Sequence, residues 1–301
     1  MPEIKKFLGI INTTDEEKQK FGALSVADNV NLTASGSIFR RDGFTQFVTA
    51  SNITSSYGTT DLRYLYIINN GNLMYFDGAS FRQIAEGFPD QHAFWCEESP
   101  NSLFVASGTV YAHIENANEL THLTSLPIPT GDLDELSLYT ESFPPDDVLA
   151  MTFHQGSVVM AVSTGTNTSR IQFSVPGQHH LFYKIHKRFE VPDRVVGLES
   201  VNGQLLIVCT SNIYSFSTES GLSALADYGA VPGKPIAKLP EGQCFIATTR
   251  GIAVYPEFKN ITAATYSYPP GKGASAATYD IQGERFILLC TDGAGDPYNT
   301  I

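Results

Sequence analysis

Short apolar runs and short polar turns alternate along nearly the whole chain. Six runs anchor the pattern, opening at residues 64, 102, 157, 204, 243 and 284 and reading YLYII, SLFVA, SVVMAV, QLLIVC, QCFIAT and ERFILL. Five of them follow a turn: SPN, HQG, VNG, PEG or IQG. Most lead into a second turn and a second run, as in NNGNLMYF, SGTVYAHI, TSNIYSFS and TRGIAVYP. Runs of this length, rich in β-branched and aromatic residues and punctuated by Gly and Asn, predict strands joined by hairpins. The first and last anchors lie 220 residues apart, so the five intervals average 44.

A period near that value with several strands per unit reads as a β-propeller. The expected fold class is therefore all-β, a propeller of about six blades. Residues 1–60 precede the first repeat, and 61–301 carry the blades. Within the N-terminal segment, TDEEKQKFG predicts a short helix, with acids in its first turn and Gly22 after it. The stretch from Ala27 to Ala50 then reads as strands separated by turns at Gly36 and Gly43, with Asp42-Gly43 suited to a tight hairpin. The last repeat, from residue 273, is short of a fourth strand. A strand from 36–49 is expected to complete it, closing the ring and removing an exposed sheet edge.

Two stretches depart from the period. Residues 127–147 hold four prolines and six acidic residues and account for the longest interval, 55. They read as a long loop between blades, either a solvated connector or an acidic contact surface that includes Asp132, Asp134 and Glu135, with room for a further strand pair. The third repeat has a long second arm ending HHLFYKIHKRFE. Strict alternation there would put Leu181, Tyr183, Ile185 and Phe189 on a buried face and His180, Lys184, His186 and Arg188 on the other. That second face is either a solvated strand face or a basic docking patch for an acidic neighbour, such as the 132–147 loop of another copy. A metal site from His179, His180 and His186 is disfavoured, because adjacent residues of a strand point to opposite faces and no carboxylate sits at ligand spacing.

Composition narrows the function classes. Hydrophobic residues make up 42% and charged residues 17%, which suits a packed core rather than disorder. The formal charge of −12 repels nucleic acid phosphates, while allowing nucleic acid to pass nearby. Cys96, Cys209, Cys244 and Cys290 match no zinc spacing and read as small core residues. The N-terminus lacks a signal-peptide core, and no run approaches the roughly 20 apolar residues of a membrane span. The chain is thus expected to be made in the cytoplasm. The Asn-x-Ser/Thr triplets at Asn12, Asn31, Asn52, Asn167 and Asn260 then have no bearing on glycosylation.

Candidate chemistry is sparse. No GxSxG, HExxH or P-loop occurs, the sole tryptophan is Trp95, and arginine clusters of the glycosidase kind are missing. Asp292 to Asp296, DGAGD, reads as a turn rather than a calcium loop, since it lacks a third acid and a distant Glu. Tyr266 and Tyr268 precede two prolines and are expected to be exposed. No enzyme activity, metal or cofactor is expected.

One resemblance adds a context. The stretch LGIINTTDEEKQKFGALSVADNVNLTASGSIFRRDGF resembles the opening of tailed-bacteriophage virion propeller proteins of the tail-nozzle and packaged-DNA-stabilisation kind. The matching residues are Gly9, Ile10, Asn12, Ala27, Asn29, Val30, Gly36, Ile38, Arg40, Arg41 and Gly43. The stretch IATTRGIAVYPEFKNITAATYSYPPGKGASAA is similar to a late blade of such proteins, and together the two cover about a quarter of the chain. The resemblance implies a structural virion protein of the tail or head–tail connection. It would contact other tail or neck proteins and further copies of itself in a ring. It also makes Arg40 and Arg41 candidate contact residues, able to clamp carboxylates of a neighbouring blade or subunit. A host-surface or glycan-binding propeller on a tail fibre or tip is the alternative, and a glycoside hydrolase a further one.

Overall fold

A computed structural model describes residues 9–10, 23–24, 30–32, 38–40, 52–61, 63–89, 91–127, 140–142, 148–185, 187–239, 242–262, 274–281 and 284–291. Two compact units divide the chain, Ala50–Ala230 and the pair Met1–Thr49 with Val231–Ile301. The N-terminal residues contribute β1 (Gly9–Ile10) and β2 (Ala23–Leu24), which pair parallel, and β3 (Val30–Leu32) and β4 (Ile38–Arg40), an antiparallel pair.

The unit Ala50–Ala230 holds four successive antiparallel sheets. The first is β5 (Ile53–Gly58), β6 (Leu65–Asn69), β7 (Asn72–Phe76) and β8 (Phe81–Ala85). Then come β9 (Phe94–Ser99), β10 (Ser102–Ser107), β11 (Val110–Glu115) and β12 (Glu119–His122), followed by a 3-10 turn at Leu123–Ser125. The third sheet comprises β13 (Thr140–Ser142), β14 (Val148–His154), β15 (Ser157–Gly165), β16 (Thr168–Val175), β17 (Gln178–Tyr183) and β18 (Arg188–Val191). The fourth is β19 (Val195–Val201), β20 (Gln204–Cys209), β21 (Ile213–Ser217) and β22 (Gly221–Ala226).

The other unit adds β23 (Gly233–Lys234), β24 (Ile236–Lys238), β25 (Cys244–Thr248), β26 (Gly251–Tyr255), β27 (Lys259–Asn260), β28 (Ala274–Ile281) and β29 (Glu284–Thr291). Strands β24 to β27 form a four-stranded sheet, and β23, β28 and β29 a three-stranded one. The fold is all-β, a β-propeller, and six sheets of three or more strands stand among the described residues.

The sequence pattern explains the blades. Asn70-Gly71, Gln155-Gly156 and Asn202-Gly203 all take paired left-handed φ values of 48–50° and 74–80°, the two-residue hairpin geometry that favours Asn-Gly. The anchored runs of the second and third blades are continuously apolar because both faces of these blades are covered. Leu103 and Val105 pack with Tyr66, Ile68 and Leu73 of the preceding blade, whereas Phe104 and Ala106 pack with Met151, Val158 and Met160 of the next. Val159 and Ala161 turn the other way, against Leu205 and Ile207. Cys96, Cys209 and Cys244 are buried thiols, as small core residues should be; Cys290 falls in β29.

First strands of neighbouring blades stand side by side, β9 beside β14 and β14 beside β19. In β5, β14 and β19 the register slips near the strand start, at Thr54, Leu149 and Val196, so the same bulge recurs in three blades. Just before β19 the chain is pinned to the end of β20 by Asp193, a buried carboxylate. It accepts from the backbone N–H of Arg194 (2.7 Å), Ser211 (3.0 Å) and Asn212 (2.9 Å), from Thr210 Oγ1 (2.8 Å) and from Asn212 Nδ2 (3.2 Å).

Four expectations change. The first blade begins at β5, so the blades start before residue 61, because each repeat's innermost strand precedes its anchor. Ile38–Arg40 pairs with Val30–Leu32, and the third strand of the β28–β29 sheet is Gly233–Lys234; the rest of 36–49 lies outside the described residues. The 127–147 stretch contains a strand, β13, which pairs with β17 of the same chain. The arm from His179 to Phe189 is two strands rather than one. Lys187 takes φ 50°, which turns the chain, so β17 and β18 both pair with β16 but along different halves of it. The expected helix, Tyr266, Tyr268 and the Asp292–Asp296 turn lie outside the described residues.

Loss of one inter-blade side chain should be costly. Phe104→Ala is expected to destabilise the protein by about 3–5 kcal/mol, read from urea unfolding. Asp193→Ala, which orphans five donors, should cost about 2–4 kcal/mol.

Candidate functional site

The second and third blades meet at an open pocket of about 470 Å³. Its walls come from β9, β10 and β11 on one side and from the β16–β17 hairpin on the other. Phe104 and His113 sit directly opposite each other on β10 and β11. Their rings stack at 4.3 Å and 7°, and the His179 ring meets the Phe104 edge at 4.9 Å. Phe104 is fully buried beneath these imidazoles. Tyr111 donates from its hydroxyl to the His179 carbonyl (3.1 Å), tying β11 to β17.

A polar relay runs along the pocket wall. Ser102 Oγ donates to Glu98 Oε2 (2.9 Å) and lies 2.8 Å from His113 Nε2. A serine hydroxyl has one proton, so His113 must carry hydrogen on Nε2 and donate it to Ser102. Glu115 lies 3.9 Å from His113 Nδ1. Serine, histidine and acid are therefore adjacent, but the Ser102 proton is committed to Glu98 and the histidine is not its base. Across the pocket, Ser174 Oγ accepts the Val158 N–H (2.8 Å) and contacts His179 Nδ1 (3.1 Å). Burial holds His113, His179 and His180 below the ordinary histidine range; Glu115 and Glu98 pull His113 back only in part. The imidazoles are neutral near pH 7, and the charge at the mouth is that of Glu98 and Glu115.

The contact residues expected from sequence separate. His180 lines the pocket, half-buried. Lys184 follows β17 and Arg188 opens β18, on the two sides of the turn at the other end of β17, where Arg188 Nη1 donates to the Lys184 carbonyl (3.2 Å). Ile185, expected on the buried face, is 68% exposed in that turn, while Phe182, which alternation puts on the basic face, is fully buried. There is no continuous basic stripe, because the turn breaks the alternation. Arg40 ends β4 opposite Val30. Arg41, Asp132, Asp134, Glu135 and His186 lie outside the described residues. Among the described residues, no group of three or more His, Cys, Asp or Glu is placed to hold a metal ion.

A second polar cluster went unnoticed in the sequence. Glu97 of β9 accepts from the Tyr57 hydroxyl (3.1 Å), the Thr60 N–H (3.0 Å) and Thr60 Oγ1 (2.6 Å). Trp95 Nε1 donates to Ser55 Oγ (2.8 Å), which donates to the Ala93 carbonyl (3.1 Å). Burial first, then Glu97, pushes the Tyr57 phenol well up. Only the alternation of WCEES with ITSSYG could have signalled these contacts, and their partners are some 40 residues apart.

No family model matches the chain, and no curated protein matches it in sequence. Solved structures do share its shape. The extracellular domain assigned to a hybrid two-component system of B. thetaiotaomicron is similar at a TM-score of 0.53 and 13% identity, over 88% of this chain and 36% of that one. That of a one-component system from the same organism gives 0.52 and 14%, over 88% and 37%. The chain thus spans little more than a third of these two proteins. The β-propeller domain of Cps50 (Swd1) from Myceliophteria thermophila gives 0.45 and 11%, over 85% and 84%. At such identities the likeness is one of fold alone.

Acid should weaken the protein. His113, His154, His179 and His180 all have depressed values, burial being the first cause for each. The unfolded chain takes up protons first, near the ordinary histidine value of about 6.5. Their contribution is full above that value and is lost as pH falls through the folded values. Melting temperature is expected to drop between neutral and mildly acidic pH, and His113→Gln with His179→Gln to flatten that drop.

Proposed function

We propose that this chain is a structural protein of a tailed-bacteriophage virion, part of the tail or head–tail connection, acting through protein–protein contacts in a ring. The observation that carries the reading is the N-terminal phrase from Gly36 to Gly43, whose Ile38–Arg40 strand pairs with Val30–Leu32 as a short hairpin. Arg40 and Arg41, successive in the sequence, would offer bidentate donors to carboxylates of a neighbour. The propeller supplies a rigid support for contact loops. The net charge of −12 suits a wall past which DNA slides without adsorbing. Glu98, His113 and His179 of the pocket are bonded to Ser102 and Ser174 of their own blades, which favours a scaffold over a catalyst. In this reading the protein is made in the host cytoplasm, ends in the virion, and works without a cofactor.

Cryo-electron microscopy of particles carrying this protein tests the reading. Propeller density on the tail axis is the expected result. Density on a peripheral fibre, or retention of the purified protein by host polysaccharide, would replace it with the glycan-binding alternative. Arg40→Ala with Arg41→Ala should leave the thermal melt of the purified protein unchanged while lowering its recovery in particles several-fold.

A further inference from the structure

The third blade presents opposite chemistry at the two ends of β17. At its start lies the pocket, with Glu98 and Glu115 exposed at the mouth and Leu123 and Leu126 forming an apolar flank. At its end is a basic turn carrying Lys184, Lys187 and Arg188 around Ile185, which at 68% is the most exposed large hydrophobic residue among those described. Strand β17 has six residues, so the two features are separated by about 20 Å.

The turn is built rather than loose. Arg188 Nη1 holds the Lys184 carbonyl at 3.2 Å, and the Phe173 N–H donates to the Lys187 carbonyl at 3.2 Å. Lys187 Nζ sits 5.6 Å over the Tyr183 ring. The nearby Glu190 pairs with Arg170 at 2.7 Å and accepts from Thr164 Oγ1 at 3.1 Å. An isoleucine held out on a fixed turn and rimmed by cations is the form of an interface anchor.

We propose that Ile185 of one copy inserts into the Glu98–Glu115 pocket of a second copy, against the Leu123 and Leu126 flank, with Lys184 and Lys187 facing the two carboxylates. This deepens the ring-contact reading above and rests on it for its biological setting. A second copy is the occupant because both halves are on the page and complementary. The turn is basic on a chain of net charge −12, and the pocket is acidic, apolar-flanked and large enough, at about 470 Å³, for a side-chain anchor. Because the two halves lie at different places on the surface, the contact is heterologous. It propagates head to tail and closes only when the rotation between copies allows a ring.

Sedimentation velocity of the purified full chain tests this without a virion, so its outcome is separate from the particle location. The wild type should self-associate with rising concentration and dissociate with added salt. A turn variant, Lys184→Glu with Ile185→Ser, and a pocket variant, Glu98→Lys with Glu115→Lys, should each weaken association by about tenfold or more. Mixed in equal amounts, they should form a dimer and stop there, since only one intact turn and one intact pocket remain to meet. Leu126→Lys, at an exposed position without a part in the relay, repeats the pocket test if the double lysine variant melts early. A wild type that stays monomeric at every concentration overturns the proposal. So do variants that associate like the wild type, and a mixture that gives no dimer or goes beyond one.

Discussion

Face-to-face packing of neighbouring blades is the constraint on which the rest of the described structure depends. A single four-stranded sheet with two apolar faces cannot stand in water. Each middle strand therefore divides its side chains between two neighbours: Leu103 and Val105 toward one, Phe104 and Ala106 toward the other. At roughly 1.5–3 kcal/mol per buried large side chain, these interfaces outweigh any ion pair on the surface. The ion pairs of Arg82 with Asp77 and of Arg63 with Asp61 are each local to one turn and join no blades.

Polar contacts then set how the apolar faces align. Trp95 to Ser55, Tyr111 to the His179 carbonyl, His154 Nδ1 to Ser200 Oγ (2.8 Å) and Gln155 Nε2 to the Gly203 carbonyl (3.0 Å) each bridge consecutive blades. Apolar burial has no direction of its own, whereas a hydrogen bond has one. These bridges, with the recurring bulge of the innermost strands, give the interfaces a defined register. The neutral histidines belong to the same arrangement: His113 and His179 cover Phe104 and supply polar edges to the pocket.

The blade pattern was legible because burial on both faces writes itself as uninterrupted apolar runs of fixed spacing. The tight turns were legible too, since Asn-Gly carries its own backbone preference. The third blade was not. Alternation from Leu181 to Phe189 mimics one strand, and the left-handed Lys187 breaks it. Lysine is not a residue that announces such a conformation. Pairing of β13 with β17 joins residues some 40 apart with no local signal, and the pocket gathers side chains from positions 98 to 180. The basic character of Lys184 and Arg188 was evident, but their separation from His180 required the fold.

Strand β16 forks. Its first half pairs with β18 inside the blade, and its second half pairs with β17, which carries β13 at its outer side. The blade's own meander thus runs from β14 through β15 and β16 to β18 without needing the excursion between them. Changes of length in the turns of that excursion, outside the buried Leu181 and Phe182, would leave the blade ladder in place. The fork is a graft point, where a surface can be lengthened, shortened or recharged over generations while the inter-blade core beneath it stays under separate selection.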